Sequence, residues 1–289
     1  MLPSAFRLLA SYRLLMRFTV LGSGSTGNAV LICAGNTRVL VDAGMSARET
    51  VRRLALVGVD PAQLDGVIIT HEHGDHAGGL RVLLKSLRCP IYISGETREA
   101  YISERRGVSS EEPRRRAEAL RDRTAEIVSS RDFRIGEIDF HPFTVPHDAA
   151  DNFGFTATHA GIRIATLMDF GYITSLIKER LRGCAAIIIE SNHSRDMLKA
   201  CDVYPWELKQ RILSRTGHLS NEDVAEWLRD GFDGTAERIV LAHLSQRANN
   251  PYVAKLSAEI ALRERGPLFQ PTTEIILSHP KEPTPWIEL

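Results

Sequence analysis

The chain runs to 289 residues, 43% hydrophobic and 25% charged, a composition that excludes a disordered tail, a collagen-like fibre and a small disulfide scaffold. Lys plus Arg and Asp plus Glu both total 36. With zero net charge there is no global pull on nucleic acid, and only a local patch could supply one.

Residues 1–15 (MLPSAFRLLASYRLL) have apolar runs broken by Arg7 and Arg13, with no A-x-A cleavage site. Nothing there approaches the ~20 apolar residues of a membrane span. They are read as an N-terminal extension, frayed or a start-site artefact, ahead of a single domain over 16–289. Cys33, Cys89, Cys184 and Cys201 stand far apart with no CxxC pair, which predicts free thiols in a reducing cytoplasm. A soluble, cytoplasmic protein without membrane contact is expected.

The first ordered block is expected at Arg17–Leu21, followed by the Gly/Ser-rich turn 22–27. Ala29–Cys33 and Arg38–Asp42, apolar runs separated by Gly-Asn, signal a hairpin. Arg48–Val57 has helical spacing in Val51, Leu54 and Ala55. Val67–Thr70 reads as a buried strand running straight into His71-Glu-His-Gly-Asp-His76. Gly79–Leu87 reads as a helix, Ile91–Ile93 as a strand and 96–127 as a charged, mostly helical stretch rich in Arg. Strand patterns return at 132–145, 153–159, 162–168 and Ile187–Glu190. Helices at 206–215 and 221–230 precede strand Arg238–Ala242, a helix at 251–265 and strand Thr273–Leu277 before a Pro-rich tail. The expected class is α/β, two mixed β-sheets packed together and flanked by helices.

His71-x-His73-x-Asp75-His76 is the strongest chemical signal. Three imidazoles and a carboxylate within six residues are poor core material, because each needs a polar partner when buried. Imidazole and carboxylate suit Zn²⁺, Mn²⁺ or Fe²⁺. Two metals need more ligands, and His147, Asp169 and His243 supply them, each just after an apolar strand.

The motif and its order resemble the metallo-β-lactamase-fold hydrolases, over about residues 16–280. The resemblance implies an αββα sandwich binding two divalent metal ions (Zn or Mn, with Fe a further option). His71, His73 and His147 would hold one, and Asp75, His76 and His243 the other, with Asp169 bridging. Asp42, closing RVLVDAG, matches the early Asp that supports the metal loop. Two adjacent cations make hydroxide available near neutral pH and stabilise charge developing on a substrate oxygen. Asp75 is expected both to ligate and to orient the nucleophile.

A bridging Asp suits phosphodiesters, and no Cys stands where β-lactamases of this fold carry one. Glu190, ending AIIIE, and His218, in GHLSN, are similar to the glutamate and histidine of the ribonuclease Z branch. There Glu190 would orient His218, and His218 would protonate the leaving oxygen. GSGSTGN, ESNH, YPW, GHLSN and AHLSQRANN together resemble the YycJ (WalJ) family. That resemblance implies a 5′-to-3′ exonuclease acting on the ends of double-stranded DNA, serving repair. Asn28, Ser220, Asn221, Ser245 and Asn249 are then candidates for phosphate contacts or site support. The Arg-rich 96–127 segment is a candidate DNA-facing patch, although its interspersed acids suit a solvated helix equally. Tyr172, Tyr204 and Trp206 are candidates to stack on a terminal base, with core packing the use expected first of Trp206. The alternative reading is a small-molecule ester or thioester hydrolase, lactonase or glyoxalase-like, on the same site. A non-catalytic scaffold would have no need of two metals. Oligomeric state is not readable from the sequence.

Overall fold

β-Branched and aliphatic runs punctuated by glycine open the first sheet of the computed structural model, which describes residues 16–105, 107–265 and 272–289. β1 (Met16–Gly22), β2 (Ala29–Ala34) and β3 (Thr37–Val41) form an antiparallel meander. Its β2–β3 turn is Gly35-Asn36, with Gly35 at φ 56°, a left-handed conformation that glycine adopts without steric cost. Every residue of β2 is buried, as in a strand covered on both faces. β4 (Gly66–Ile68), β5 (Ile91–Ile93) and β6 (Thr124–Glu126) add in parallel beyond β3. Helices such as Ala47–Leu56 supply the crossovers that parallel pairing demands.

The second sheet repeats the plan. β7 (Phe133–Ile135), β8 (Ile138–Thr144), β9 (Phe153–His159) and β10 (Ile162–Leu167) meander antiparallel. β11 (Ala186–Glu190), β12 (Arg238–Ala242) and β13 (Glu274–Leu277) then follow in parallel. β14 (Ile287–Glu288) returns to the first sheet beside β1, giving the orders β14-β1-β2-β3-β4-β5-β6 and β13-β12-β11-β10-β9-β8-β7.

Three apolar layers follow. Phe18, Val20, Ile32, Phe140, Phe155 and Ile188 fill the space between the sheets. Leu40, Leu54, Val67, Leu80 and Leu83 seal the outer face of the first sheet, and Ile187, Ile239, Val224, Trp227 and Leu228 that of the second. This is the expected α/β sandwich, helices outside and two mixed sheets within.

Several local expectations differ. The run 79–87 is not one helix but Leu80–Leu83 followed by a 3₁₀ turn, Leu84–Ser86. The 96–127 stretch is two helices, Gly95–Ser103 and Glu112–Leu120, ending in β6. Trp206 does not enter the core; it is 62% exposed at the start of the helix Trp206–Ile212. Residues 1–15 lie outside the described residues, as does Arg106. No helix among the described residues is long and apolar enough to cross a membrane.

Candidate metal centre

The titratable residues singled out from the sequence meet at one end of the sandwich, where strands of both sheets stop. Three of them take left-handed backbone at their strand ends: Asp42 (φ 67°) after β3, Asp169 (φ 54°) after β10 and His243 (φ 54°) after β12. Such φ values are uncommon away from glycine and are held only where the surroundings enforce them. Each lies just past the last strand residue, turning the chain out of its sheet. The first motif follows β4, with His73 leading into the short helix Gly74–Ala77.

The Asp75–His76 turn is locked against its neighbours by backbone bonds. Asn28 N–H donates to Asp75 O (2.8 Å) and Ala43 N–H to His76 O (2.8 Å). The approach is so close that a Cβ on Gly44 would fall 1.7 Å from Asp75 O. Glycine is required there.

Three groups of ligand atoms result, each within 4.8 Å: His71, His73, His147 and Asp169; Asp75, His76, Asp169 and His243; and Asp169, Glu190, His218 and His243. Asp169 belongs to all three, and the first two match the ligand sets expected of two metals. Its Oδ2 lies 3.3 Å from His71 Nε2, 3.9 Å from His147 Nε2 and 3.0 Å from His76 Nε2. His243 Nε2 lies 3.3 Å from Asp75 Oδ2. Ligands bonded to one ion at about 2.0–2.1 Å stand about 3.3–3.5 Å apart, so these spacings suit shared cations. His147 Nε2 and His73 Nδ1 face each other at 3.3 Å. The buried Nε2 atoms of His71 and His243 make no hydrogen bond among the described residues, an expensive arrangement unless an ion completes it. The residues fit the metals the fold implies.

Supporting contacts fix the rings. Asp42 Oδ2 lies 2.7 Å from His76 Nδ1, while Asp42 Oδ1 accepts from Thr70 N–H (2.9 Å) and Thr70 Oγ1 (3.0 Å). His147 Nδ1 lies 3.1 Å from Gly217 O. Partners on the far nitrogen of this kind set the tautomer and orientation of a ligating imidazole.

Glu190, fully buried at the end of β11, accepts from Phe170 N–H (3.0 Å) and Leu219 N–H (3.1 Å) on Oε2. Its Oε1 lies 2.8 Å from both His218 Nδ1 and His243 Nδ1. Burial alone would raise the Glu190 carboxyl, but the charge and hydrogen bond of His218, and that of His243, hold it down at about 2. Burial would likewise depress His218, yet Glu190 and then Asp169 raise it to about 10. Asp75 is held at about 2, its burial outweighed by His243 and His76. Burial depresses His147 to about 4. His76 and His243 rise well above the ordinary imidazole range despite burial, because Asp42 and Asp169 face the first and Asp169 the second. The cluster is a trap for positive charge, filled by protons or by cations.

A cavity of about 660 Å³ opens onto this cluster, lined among others by His73, Asp75, His218, His243, Tyr204 and Ser245. Of the five residues expected to contact phosphate or to support the site, Ser245 lines the cavity, its Oγ 3.3 Å from Tyr204 Oη. Asn28, Ser220, Asn221 and Asn249 are buried. Ser220 caps the helix Asn221–Asp230 through Asp223 N–H (3.1 Å). Asn221 and Asn249 bond to each other (2.8 Å), and Asn249 Nδ2 donates to Ser191 O and Asn192 O. Asn28 accepts from Ser23 Oγ (2.8 Å), which in turn accepts from His243 N–H (2.8 Å). These four brace the loops that carry the ligands.

Sequence reasoning missed Thr70 and Ser23. Both had a readable position, the last residue of VIIT and the first serine of GSGSTGN, but only the fold shows what they touch.

A family model described as Beta-lactamase superfamily domain matches residues 37–244. The exodeoxyribonuclease YycJ of Bacillus anthracis is 33% identical over 270 residues, covering 93% of this chain and 97% of that protein. The exodeoxyribonuclease WalJ of Streptococcus pneumoniae is 31% identical over 241 residues, covering 83% and 86%. Among solved structures, the metallo-beta-lactamase fold protein YhfI of Bacillus subtilis superposes with a TM-score of 0.68 at 15% identity, over 95% of this chain and 99% of that one. The chain belongs to the β-lactamase superfamily of metal-dependent hydrolases, within its YycJ/WalJ family.

Proposed function

We propose that the chain is a dinuclear phosphodiesterase that shortens duplex DNA from its ends, in the 5′-to-3′ direction. The observation that carries this reading is the sharing of Asp169 between two ligand groups beside the Glu190–His218 pair. Two divalent cations, Zn²⁺ or Mn²⁺ with Fe²⁺ also suited to the ligands, would supply water activation near neutral pH and charge neutralisation on the phosphate. His71, His73 and His147 would hold one and Asp75, His76 and His243 the other, with Asp169 within reach of both sets of ligands.

The remaining chemistry belongs to the side chains. Asp75 orients the attacking water through the carboxylate that faces His243. His218, held charged by Glu190, presents its other ring nitrogen to the leaving oxygen and protonates it as the P–O bond breaks. Glu190 keeps that proton in place and fixes the ring. The exonuclease names of the two similar proteins support DNA as the substrate; a role in repair belongs to the same proposal. Free Cys33, Cys89, Cys184 and Cys201 suit a reducing cytoplasm.

The test uses linear duplex DNA labelled at one 5′ end, with Mn²⁺ or Zn²⁺ and an Asp75→Ala control. Release of labelled mononucleotide by the wild type alone supports the reading. Intact DNA from a protein carrying two metals refutes it in favour of a small-molecule ester.

A further inference from the structure

A second, open cleft of about 370 Å³ lies on the outer surface of the first sheet, lined by Arg81, Lys85, Arg115 and Arg123, with Glu118 the only acid among the described residues that line it. We propose that this cleft holds backbone phosphates of the DNA duplex at a distance from the scissile bond, an inference that rests on the DNA reading above.

Three observations carry it. The first is charge. Residues 81–88 and 111–123 hold eight basic and four acidic side chains, within a chain of zero net charge. A local excess of this kind is the footprint of a polyanion.

The second is how those charges are held. Arg123 donates to Leu84 O and Leu87 O at 2.8 Å each, so it is fixed in place by neutral carbonyls that do not cancel its charge. Lys85 is exposed, with no ion pair among the described residues. Among the described residues Arg115 pairs only with exposed Glu111, at 2.7 Å; such surface pairs are worth little and release readily. Arg81 is committed to Glu112 at 2.5 Å and contributes mainly shape.

The third is continuity with the metal centre. Gly78, Tyr101 and Arg116 line the active-site cavity, while Arg81 and Arg115 line the cleft. Tyr101 joins the two: its hydroxyl accepts from Arg81 N–H at 3.3 Å, and the Arg116 guanidinium sits 4.6 Å over its ring. From Gly78 to Lys85 the chain is helical or nearly so, spanning about 10 Å at 1.5 Å per residue. That is about three steps of a duplex rising 3.4 Å per nucleotide. A duplex whose end occupies the cavity therefore has phosphates within reach of the cleft.

The experiment compares Lys85→Glu/Arg115→Glu with its parent by two readouts. Binding of a fluorescent 30-base-pair duplex is followed by anisotropy across salt concentrations, both proteins carrying Asp75→Ala so that the DNA survives. Hydrolysis of bis(p-nitrophenyl) phosphate is measured with Asp75 intact. The expected result is a Kd about tenfold weaker near 0.1 M salt, with the slope of log Kd against log salt shallower by about one to two. Hydrolysis of the small diester should stay within twofold. A double variant with unchanged Kd and slope overturns the cleft and leaves the DNA reading standing. A parent that binds no duplex, yet hydrolyses the small diester, overturns both.

Discussion

Replacing Glu190 by Gln removes one charge and almost no volume, and the surroundings leave the new amide no good orientation. The carboxylate faces four nitrogens: backbone N–H of Phe170 and Leu219 on one oxygen, and Nδ1 of His218 and His243 on the other. A Gln side chain has one acceptor oxygen, so its NH₂ must face either the two amides or the two imidazoles. Bonds to a charged acceptor contribute about 1.5–3 kcal/mol each, and retautomerisation of an imidazole recovers part of the loss. About 3 kcal/mol of destabilisation is expected. The pKa gives the same size, since a carboxyl held at about 2 against an ordinary 4.5 corresponds to roughly 3 kcal/mol.

The sign sets the pH window. Glu190, depressed, contributes stability that is full above 4.5 and lost as pH falls through about 2. His218, raised, contributes stability that is full below 6.5 and lost as pH rises through about 10. The variant should therefore lose most between pH 4.5 and 6.5 in denaturant titrations. Catalysis moves with it. Without the carboxylate the His218 proton leaves near its ordinary pKa, so kcat/KM on a labelled DNA end should fall by about 30–100-fold at pH 8.5, with much less loss at pH 6. Stability within about 0.5 kcal/mol of wild type, together with an unmoved alkaline limb, would refute the assigned role of Glu190.

Asp42→Asn, which tolerates the left-handed backbone at φ 67°, should weaken metal binding about 10–100-fold by releasing His76, as read by chelator competition; unchanged affinity would remove Asp42 from the metal-loop support. His76 and His243 carry raised pKa values facing Asp42 and Asp169, so cations must displace their protons. Affinity should then rise with pH, and calorimetry in buffers of different ionisation enthalpy should count at least one proton released; a count of zero contradicts this account. Gly44→Ala drives a Cβ into backbone at 1.7 Å and should cost about 3 kcal/mol or more with loss of bound metal. A variant that keeps both stability and metal content would show that the turn at Asp75 is not rigid.

The parts of this site that were legible from residue order are those whose chemistry is written locally. His71, His73, Asp75 and His76 sit in six residues after VIIT, and His147, Asp169 and His243 each follow an apolar run. The helix at 221–230 and the strands at 153–159 and 238–242 have the bounds expected of them. What escaped is set by contacts distant along the chain. Whether Asn28 meets a phosphate or braces a loop depends on its packing against Asp75 and Ser23, neither of which its neighbours reveal. Trp206 carries the bulk of a core residue, yet it starts a helix whose cavity-facing positions are Leu208, Arg211 and Ile212, so it points elsewhere and stays exposed. β6 and β14, three and two residues long, carry too little pattern to announce themselves; their partners define them.

β14 has a further consequence for how the protein is made. Thr284 bonds to Thr19 and Val20, and Ile287 pairs with Phe18, so this edge of β1 gains its neighbour only after a further 265 positions of chain have been synthesised. While the ribosome makes everything between, β1 presents an unpaired edge in an almost wholly apolar segment, the kind that recruits other strands. Closure across some 265 residues is entropically slow compared with the local hairpins. The nascent chain is thus most vulnerable to aggregation during elongation, and chaperone engagement should concentrate on β1 until residues 284–288 leave the exit tunnel.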